Sequence, residues 1–533
     1  MKLAKFLLLL TLLPVLQGCH VPLRSYRVSK SAIVVPTEPP SPPPTTAVAI
    51  AAQEKSCLTA ENPISLAFIE VDDMGELFDK VEVDNALRVI RQANDLAKTN
   101  PGNDPIVITF VHGWKNNAAV TNDNVVGFKA ALQEVYRRFG KTHHVIGIFI
   151  GWRGNLIKSA WPVQQQFSYY NREATAIRVP GASLSSALTQ IATRTHENDH
   201  ALAIYIGHSF GGLLLERALT EATASQIAQT TIFIQEANVT SGDPQEASEK
   251  RVAAKLATDA RADLVIFINP AGAATEAKQM LDFLIYNSYA YRPAVPSTTA
   301  IGQPYPSDNR DDRPLFVSLT STADLATKVA MPIGHWWPDL KFKGSGSFRS
   351  LTQEPNKKYD LDCFDPHNRD HTHWELKTKQ EGAVDQSSYY MSTAPHMQIL
   401  QSHVMLKQVG ENQMQVASTG QKIKIDDPLA IAQCNRDLFN KQGLNISSTF
   451  RLPDTGLCFA VQERPNRCNG TPYWLMEIDP AVVPDHTTIF TQRFISFLID
   501  TYFTTPRGEP LQRLNPRMTQ VIQAQRTGSS MNP

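Results

Sequence analysis

The sequence has no excess of either charge and, beyond its N-terminus, no long apolar run. Its 533 residues carry 51 lysines and arginines against 51 aspartates and glutamates. Such a chain lacks both the basic excess typical of nucleic-acid binding and the acidic excess typical of charged disordered tails. Because no later run is long and apolar enough for a transmembrane helix, we expect no membrane-spanning bundle. The length suffices for a sizeable core with insertions.

Metal-binding patterns are scarce as well. The six cysteines have spacings that fit no zinc site. Several histidines and aspartates lie between Asp362 and His373, but their spacing matches no known set of ligands, and such clusters in loops are more often solvated. We therefore expect no metal, and the chemistry derived below implies no other cofactor. The cysteines are Cys19, Cys57, Cys363, Cys434, Cys458 and Cys468.

The N-terminus is typical of an export signal. Lys2 and Lys5 precede an apolar stretch, residues 6–16, that is too short to span a bilayer. The Leu-Gln-Gly-Cys sequence that follows resembles the lipobox of bacterial lipoproteins, although glutamine departs from the usual pattern at its position. The resemblance implies a signal peptide over residues 1–18 and lipidation of Cys19. An ordinary cleaved signal is the alternative.

A lipid on Cys19 implies a protein that is anchored to the bacterial cell envelope without spanning the membrane. His20 follows the cysteine, which by analogy with enteric bacteria favours the outer membrane. Residues 19–56 are rich in proline and predict an extended tether. Export also permits disulfides, and Cys458 and Cys468, which flank a turn, are the first candidates for pairing.

The centre of the chain carries a serine between two glycines, at the junction of two elements. Residues 201–206 form a short apolar run that predicts a buried strand, and residues 211–223 have the spacing of a helix. Between them lies the G-x-S-x-G sequence Gly207-His208-Ser209-Phe210-Gly211. A serine on such a tight turn needs small residues two positions to either side, because the chain folds back on itself there. The stretch resembles the nucleophile turn of the α/β-hydrolase superfamily, which implies Ser209 as a nucleophile.

Strands and helices alternate along the chain, which indicates a parallel sheet with helices on both faces. The predicted class is α/β, and the resemblance implies an α/β-hydrolase fold with a mostly parallel sheet. The expected strands are Ile64–Val71, Ile106–Val111, His144–Ile150, Ala201–Ile206, Thr230–Gln235, Leu264–Ile268, Leu315–Leu319 and Tyr473–Ile478. The expected helices are Asp84–Ala97, Phe128–Phe139, Ser168–Thr195 with a break at Pro180-Gly181, Gly211–Thr223, Ser248–Ala260, Thr275–Leu284 and Ile489–Phe503.

Domain boundaries follow from the same alternation. The core occupies residues 57–324 and returns at residues 473–504 with a last strand and a last helix. Between these parts, residues 325–472 are too many for one loop, and we expect an insertion that covers the site as a cap or lid. Residues 505–533 form a polar tail without the pattern of a core.

A second turn with site chemistry follows the strand Ile106–Val111. His112-Gly113-Trp114 resembles the H-G turn with which α/β-hydrolases supply half of their oxyanion hole. This resemblance implies the backbone N–H groups of Trp114 and Phe210 as the two donors, each worth a few kcal/mol of barrier. We expect His112 to hold the loop and not to act as the base. The alternative is an ordinary turn at the end of a strand.

The resemblance also places an acid. Asp324 comes just past the strand Leu315–Leu319, where the family has the carboxylate that orients the imidazole. Asp311 and Asp312 precede the strand and are less suitably placed. An aspartate in a surface loop is the alternative for Asp324.

The base is expected in the loop between the last strand and the last helix. His486 occupies that position, and the resemblance implies that it takes the proton of the serine and returns it to the leaving group. Three other histidines compete, but none has a strand before it and a helix after it. They are His373, His396 and His403.

The order Ser209, Asp324, His486 is the family's order of nucleophile, acid and base. The resemblance covers about residues 60–325 and 470–503. It implies a serine hydrolase, a carboxylesterase or lipase, that cleaves a small-molecule or lipid ester through an acyl-enzyme. Thioesters, amides and acyl transfer stay open, because the triad does not choose the leaving group. A scaffold or binding module on the same fold is the alternative from another class, and the oligomeric state is not indicated.

Overall fold

The computed structural model contains two β-sheets, and helices pack on the larger one. It describes residues 23–38, 64–100, 102–140, 143–155, 169–239, 244–272, 280, 315–321, 323–324, 403–410, 413–416, 422–424, 446–451, 458–462, 473–478, 482–499 and 503. The strands are β1 (Ile33–Val34), β2 (Ile64–Glu70), β3 (Asp104–Val111), β4 (His143–Gly151), β5 (Leu202–His208), β6 (Leu264–Ile268), β7 (Phe316–Ser321), β8 (His403–Gly410), β9 (Gln413–Val416), β10 (Lys422–Lys424), β11 (Ile446–Arg451), β12 (Cys458–Gln462) and β13 (Tyr473–Ile478). The helices are α1 (Lys80–Thr99), α2 (Asp123–Phe139), α3 (Tyr169–Arg178), α4 (Ala182–Thr195), α5 (Phe210–Val239), α6 (Pro244–Asp259) and α7 (Gln492–Leu498).

The larger sheet has eight strands in the order β1-β2-β4-β3-β5-β6-β7-β13. β1 is antiparallel to β2, and the other seven strands run parallel to one another. Parallel neighbours need crossover connections, and α1 to α6 supply them between β2 and β6. The prediction of a mostly parallel α/β sheet is therefore confirmed. Because the seven strands are parallel, their carboxyl ends all meet at one edge.

Apolar residues alternate along the central strands and divide the core into two layers. In β3, Val107 and Val111 face the layer covered by α1, α3, α4 and α5. Ile106 and Phe110 face the opposite layer, which α2 and α7 cover. Strands that are apolar on both sides are typical of a parallel sheet between two helical layers.

Most predicted elements are confirmed, and the strands Leu264–Ile268 and Tyr473–Ile478 agree with the prediction residue for residue. The prediction of a strand at Thr230–Gln235 was wrong, because α5 continues through it to Val239. The chain has no glycine or proline from Leu213 to Val239 that would end the helix. Within it, the hydroxyl of Thr230 donates to the carbonyl one turn earlier at 2.8 Å, a bond that suits threonine to a helix.

The N-terminal segment, residues 23–38, corrects the expectation of an extended tether over residues 19–56. β1 pairs with β2 at the edge of the sheet, so this part of the chain is folded onto the core. The buried carboxylate of Glu70 accepts hydrogen bonds from the hydroxyl of Ser25 at 2.5 Å and from the backbone N–H of Arg27 at 2.8 Å. Residues 39–56 of the expected tether lie outside the described residues.

The second sheet lies within residues 325–472. Five strands are antiparallel in the order β10-β9-β8-β12-β11. The stretch from Asp362 to His373, Cys468 of the expected disulfide, and Cys19 lie outside the described residues, as do residues 1–18 and 505–533. Across the described ranges, no helix is both long and apolar enough to cross a membrane.

Candidate active site

Ser209 lies at the carboxyl end of β5, in the turn that leads directly into α5. Its φ of +55° is in the left-handed region, as a sharp strand-to-helix turn requires. A Cβ placed on Gly211 would lie 2.2 Å from the carbonyl oxygen of Val111, and one on Gly207 would lie 2.7 Å from the carbonyl oxygen of Gly211. Both glycines are therefore needed for backbone to pass close to backbone at this turn.

The structure brings Ser209, His486 and Asp324 together, although the three lie far apart in the chain. Nε2 of His486 is 2.7 Å from Oγ of Ser209, and Nδ1 is 2.8 Å from Oδ2 of Asp324. Because a carboxylate accepts hydrogen bonds, Nδ1 carries the hydrogen and Nε2 is left to accept from the serine hydroxyl. The side chain of Asp324 is fully buried, whereas that of His486 is 19% exposed. This arrangement can take a proton from the hydroxyl and hold the resulting imidazolium.

The His112-Gly113-Trp114 turn packs against Ser209. A Cβ on Gly113 would lie 2.9 Å from Cβ of Ser209. The backbone N–H of Trp152 donates to Nε2 of His112 at 3.1 Å, so the hydrogen of this imidazole is on Nδ1, which donates to the carbonyl of Gly113 at 2.9 Å. Burial lowers the pKa of His112 to about 4, which keeps the ring neutral.

The hydrogen bond from His112 also orients the next peptide N–H. The carbonyl of Gly113 and the N–H of Trp114 belong to one planar trans peptide and point in opposite directions. Fixing the carbonyl therefore fixes the direction of the N–H. Phe210 is the first residue of α5, where an N–H has no acceptor within the helix.

Three aromatic rings pack together beside this turn. The ring of Tyr169 lies edge-on to Trp114 at 5.5 Å and is tilted against Phe210 at 5.2 Å, while Trp114 and Phe210 are 6.5 Å apart. Trp114 and Tyr169 are half-buried, and Phe210 is buried. The three rings form an apolar cluster that packs against the core layer on this face of the sheet.

The loop that carries His486 is held by two side chains that sequence reasoning did not assign to the site. Nε2 of His208 lies 2.7 Å from the carbonyl oxygen of His486 and must donate to it, because a carbonyl only accepts. Nδ2 of Asn269 donates to the same carbonyl at 3.2 Å. Both residues are polar and directly end or follow a buried parallel strand, which is the signal that could have identified them.

His208 is neutral and in part unsatisfied. Burial, together with the neighbouring imidazole of His486, lowers the pKa of His208 to about 3. Its Nδ1 is buried and has no hydrogen-bond partner among the residues that the structure describes. A neutral ring avoids placing a second positive charge beside the imidazolium that His486 can form.

The turn around His486 is also fixed by its own side chains and by β7. The carboxylate of Asp485 accepts from the backbone N–H groups of Thr487 and Thr488 at 2.7 and 2.8 Å. Burial by itself would raise the pKa of Asp485, but hydrogen bonds from Thr488 and Thr487 lower it to about 2. Before the turn, the hydroxyl of Ser321 donates to the carbonyl of Val483 at 2.6 Å.

The described ranges contain no group of three or more histidine, cysteine, aspartate or glutamate side chains with the arrangement of a metal site. Of the competing histidines, His403 lies in β8 of the second sheet, and His373 and His396 lie outside the described residues. The polar groups around Ser209 are suited to proton transfer and to binding an oxyanion.

The chain was also compared with known proteins. No protein-family model, no curated protein and no solved structure matches it. The α/β class therefore rests on the strand order of the chain itself, and the chemistry of the site on the distances between its side chains.

Proposed function

We propose that the protein is a serine hydrolase that cleaves carboxylic esters through an acyl-enzyme. The observation that carries the proposal is the continuous chain of hydrogen bonds from Ser209 through His486 to Asp324, at 2.7 and 2.8 Å. These residues come from the ends of two parallel strands and from the loop after β13. Their order along the chain is that of nucleophile, acid and base in α/β-hydrolases, and we propose that fold for the larger sheet.

The proposed reaction begins at the serine hydroxyl. Oγ of Ser209 attacks the ester carbonyl carbon while its proton moves to Nε2 of His486. The buried carboxylate of Asp324 stabilises the imidazolium that forms. The electron pair of the broken C=O π bond moves to the carbonyl oxygen, and the N–H groups of Trp114 and Phe210 bind this oxyanion.

The tetrahedral intermediate then collapses in the proposed cycle. The C–O bond to the alcohol breaks, and His486 returns its proton to the leaving oxygen, which leaves the acyl group on Ser209. Water then attacks the acyl carbon while His486 takes its proton. The C–O bond to Oγ of Ser209 breaks, His486 returns the proton to Oγ, and the carboxylic acid leaves. The partly exposed rings of Trp114 and Tyr169, close to this turn, would favour an apolar group next to the carbonyl.

We also propose roles for the insertion and for the N-terminal cysteine. Residues 325–472, with their antiparallel sheet, would form an insertion that covers the site as a cap or lid. Cys19 would carry a lipid that holds the enzyme on the bacterial envelope, where the outer membrane is favoured. Both proposals rest on the sequence features given above.

A fluorophosphonate probe tests the nucleophile. We expect the full-length, detergent-solubilised protein to be labelled on Ser209, as located by peptide mapping, and the Ser209→Ala variant to remain unlabelled. Ser186→Ala is the matched control, because Ser186 is exposed on α4 and should not affect labelling. No labelling of the unmodified protein would reject the hydrolase in favour of a binding module.

Competition for the acyl group separates hydrolysis from acyl transfer. With a p-nitrophenyl ester and an added alcohol, a hydrolase should release mainly the free acid. A transferase should instead give mainly the new ester. A preference for long acyl chains would identify a lipase, and a preference for short soluble ones an esterase.

A further inference from the structure

The turn Ile268–Ala271, which begins at the last residue of β6, holds the backbone of Ser209 on both sides. The N–H of Ser209 donates to the carbonyl of Ile268 at 3.0 Å, and the N–H of Ala271 donates to the carbonyl of Ser209 at 3.1 Å. Pro270 also lies close to Gly212, where an added Cβ would come within 3.1 Å of the proline ring. The turn therefore fixes the segment that carries the serine.

The side chain of Asn269, in the same turn, reaches the two other segments of the site. Its Nδ2 donates to the carbonyl of His486 at 3.2 Å and to that of Asp485 at 3.3 Å. Its Oδ1 accepts the N–H of Ser321 at 2.9 Å, three residues before Asp324. One amide thus joins the segment of the acid to the segment of the base.

The backbone conformation at position 269 restricts which residues can make these hydrogen bonds. Its φ is +44°, and the residue is fully buried. Asparagine, aspartate and glycine are the residues that adopt this conformation most readily. Of these, only asparagine both donates two hydrogens and accepts one, which is the set of bonds that the site makes here.

We propose that Asn269 is a positioning residue that holds His486 between Ser209 and Asp324. The inference rests on the proposed function, because it assigns Asn269 an effect on the base of that reaction. The carbonyl of His486 has two lone pairs, and Asn269 and His208 fill both. Fixing this carbonyl restricts rotation of the backbone at His486 and so the direction of its side chain.

The test is the rate of fluorophosphonate labelling of Ser209 in a double-mutant cycle. Asn269→Gly keeps the backbone conformation and removes every side-chain bond. We expect labelling to slow by about 10- to 100-fold, since a displacement of about 1 Å at a reacting group has an effect of that order. In the His486→Ala background the same change should have no further effect, because a residue that acts through His486 has nothing left to position.

A second variant keeps the shape of the side chain. Asn269→Asp is isosteric but cannot donate to the two carbonyls, so it should slow labelling at least as much as Asn269→Gly. Asn94→Asp is the matched control, because Asn94 is equally buried and donates to the carbonyl of Arg194 at 2.8 Å, between two helices and not within the site. It should leave the labelling rate unchanged whatever its effect on the melting temperature.

Two outcomes would overturn the inference in distinguishable ways. If the unmodified protein is labelled and both Asn269 variants are labelled at the same rate, the positioning role is wrong while the hydrolase proposal stands. The same conclusion follows if Asn269→Gly slows labelling by the same factor in the unmodified protein and in the His486→Ala background. If the unmodified protein is not labelled at all, the proposed function fails and the inference fails with it.

Discussion

Non-glycine residues with positive φ mark the carboxyl edge of the sheet. Among the described residues only Lys115, Ser209 and Asn269 adopt this conformation, with φ of 67°, 55° and 44°. They follow β3, β5 and β6, which are neighbours in the sheet. Such backbone is costly and persists at functional sites where the surroundings determine it. Its concentration at one edge supports the placement of the site there.

A substitution at Gly211, two residues after the serine, tests how closely the backbone packs at this edge. Gly211→Ala would bring a Cβ against the carbonyl oxygens of Val111 and His112, at 2.2 and 2.5 Å. Because backbone cannot give way cheaply, we expect a loss of about 3 kcal/mol in the free energy of unfolding, measured with urea, and loss of the proposed esterase activity. Gly181→Ala, with nothing closer than 3.7 Å, should lose much less. Equal losses in the two variants would contradict this account.

Two buried histidines make stability depend on pH. The pKa of His208 is about 3 and that of His112 about 4 in the folded protein, because burial disfavours the charged ring. Both lie below the ordinary value of 6.5. Below pH 6.5 the unfolded chain binds protons that the folded chain does not. Stability is therefore complete above that pH and decreases as the pH falls, by up to about 1.4 kcal/mol per pH unit for each histidine.

His208→Gln isolates the contribution of His208 to the pH dependence of stability, since glutamine keeps an N–H donor but does not titrate. We expect the free energy of unfolding of this variant to fall less steeply between pH 6.5 and pH 4.5 than that of the unmodified protein. The difference in slope should approach about 1.4 kcal/mol per pH unit. Urea titrations at several pH values measure it, and parallel curves would show that His208 is not neutral and buried.

At the scale of elements, one buried carboxylate, that of Glu70, accepts three hydrogen bonds from the N-terminal segment, which β1 also holds by pairing with β2. Glu70 is 2% exposed and accepts hydrogen bonds from Ser25, Tyr26 and Arg27. Glu70→Ala removes the acceptor of three donors, and we expect the free energy of unfolding to fall by about 3 kcal/mol. Trypsin should also cleave within residues 23–38 faster than in the unmodified protein.

Asp95→Ala is the control for this prediction. Asp95 makes only an exposed ion pair with Lys98 on α1, and such pairs contribute little. This variant should resist trypsin as the unmodified protein does. If Glu70→Ala resists trypsin equally, the segment is held by other contacts.

The parallel sheet could be predicted from the sequence because continuous apolar runs, separated by helical spacing, identify strands buried on both faces. The same runs showed that Ser209 and Asp324 each follow a buried strand. The roles of nucleophile, acid and base for Ser209, Asp324 and His486 came from the resemblance to α/β-hydrolases. The long α5 was missed because β-branched residues at Thr230–Gln235 are typical of a strand, and only tertiary packing decides between the two.

The hydrogen bonds that hold the loop of His486 could not be predicted from the sequence in the same way. The bonds of His208 and Asn269 to His486 join residues more than 200 positions apart. Local spacing carries no information about such contacts. β1 was missed for a different reason: two residues, Ile33 and Val34, are too few to give a strand pattern and form one only because β2 offers a free edge.

At the scale of the whole molecule, the folded N-terminal segment restricts where the core can lie if Cys19 is lipidated. The described residues begin at Leu23, four positions after Cys19, and four residues span at most about 14 Å. The edge of the sheet at β1 would therefore lie close to the membrane surface.

Cys19→Ser tests the proposed lipidation. We expect the unmodified protein to be found with the membrane fraction and to incorporate labelled fatty acid in a bacterial host. The variant should incorporate none, because serine lacks the thiol that the lipid requires. Equal incorporation by both proteins would exclude Cys19 as the site of lipidation.

The most direct test of the whole account is ester hydrolysis by the full-length protein and by Ser209→Ala, measured as kcat/KM on p-nitrophenyl esters of several chain lengths. We predict turnover by the unmodified protein and a loss of at least about 10³-fold in the variant, because removal of the nucleophile disables the triad as a unit. Ser186→Ala should retain full activity. Equal kcat/KM values for the unmodified protein and Ser209→Ala would contradict the assignment of Ser209 as the nucleophile.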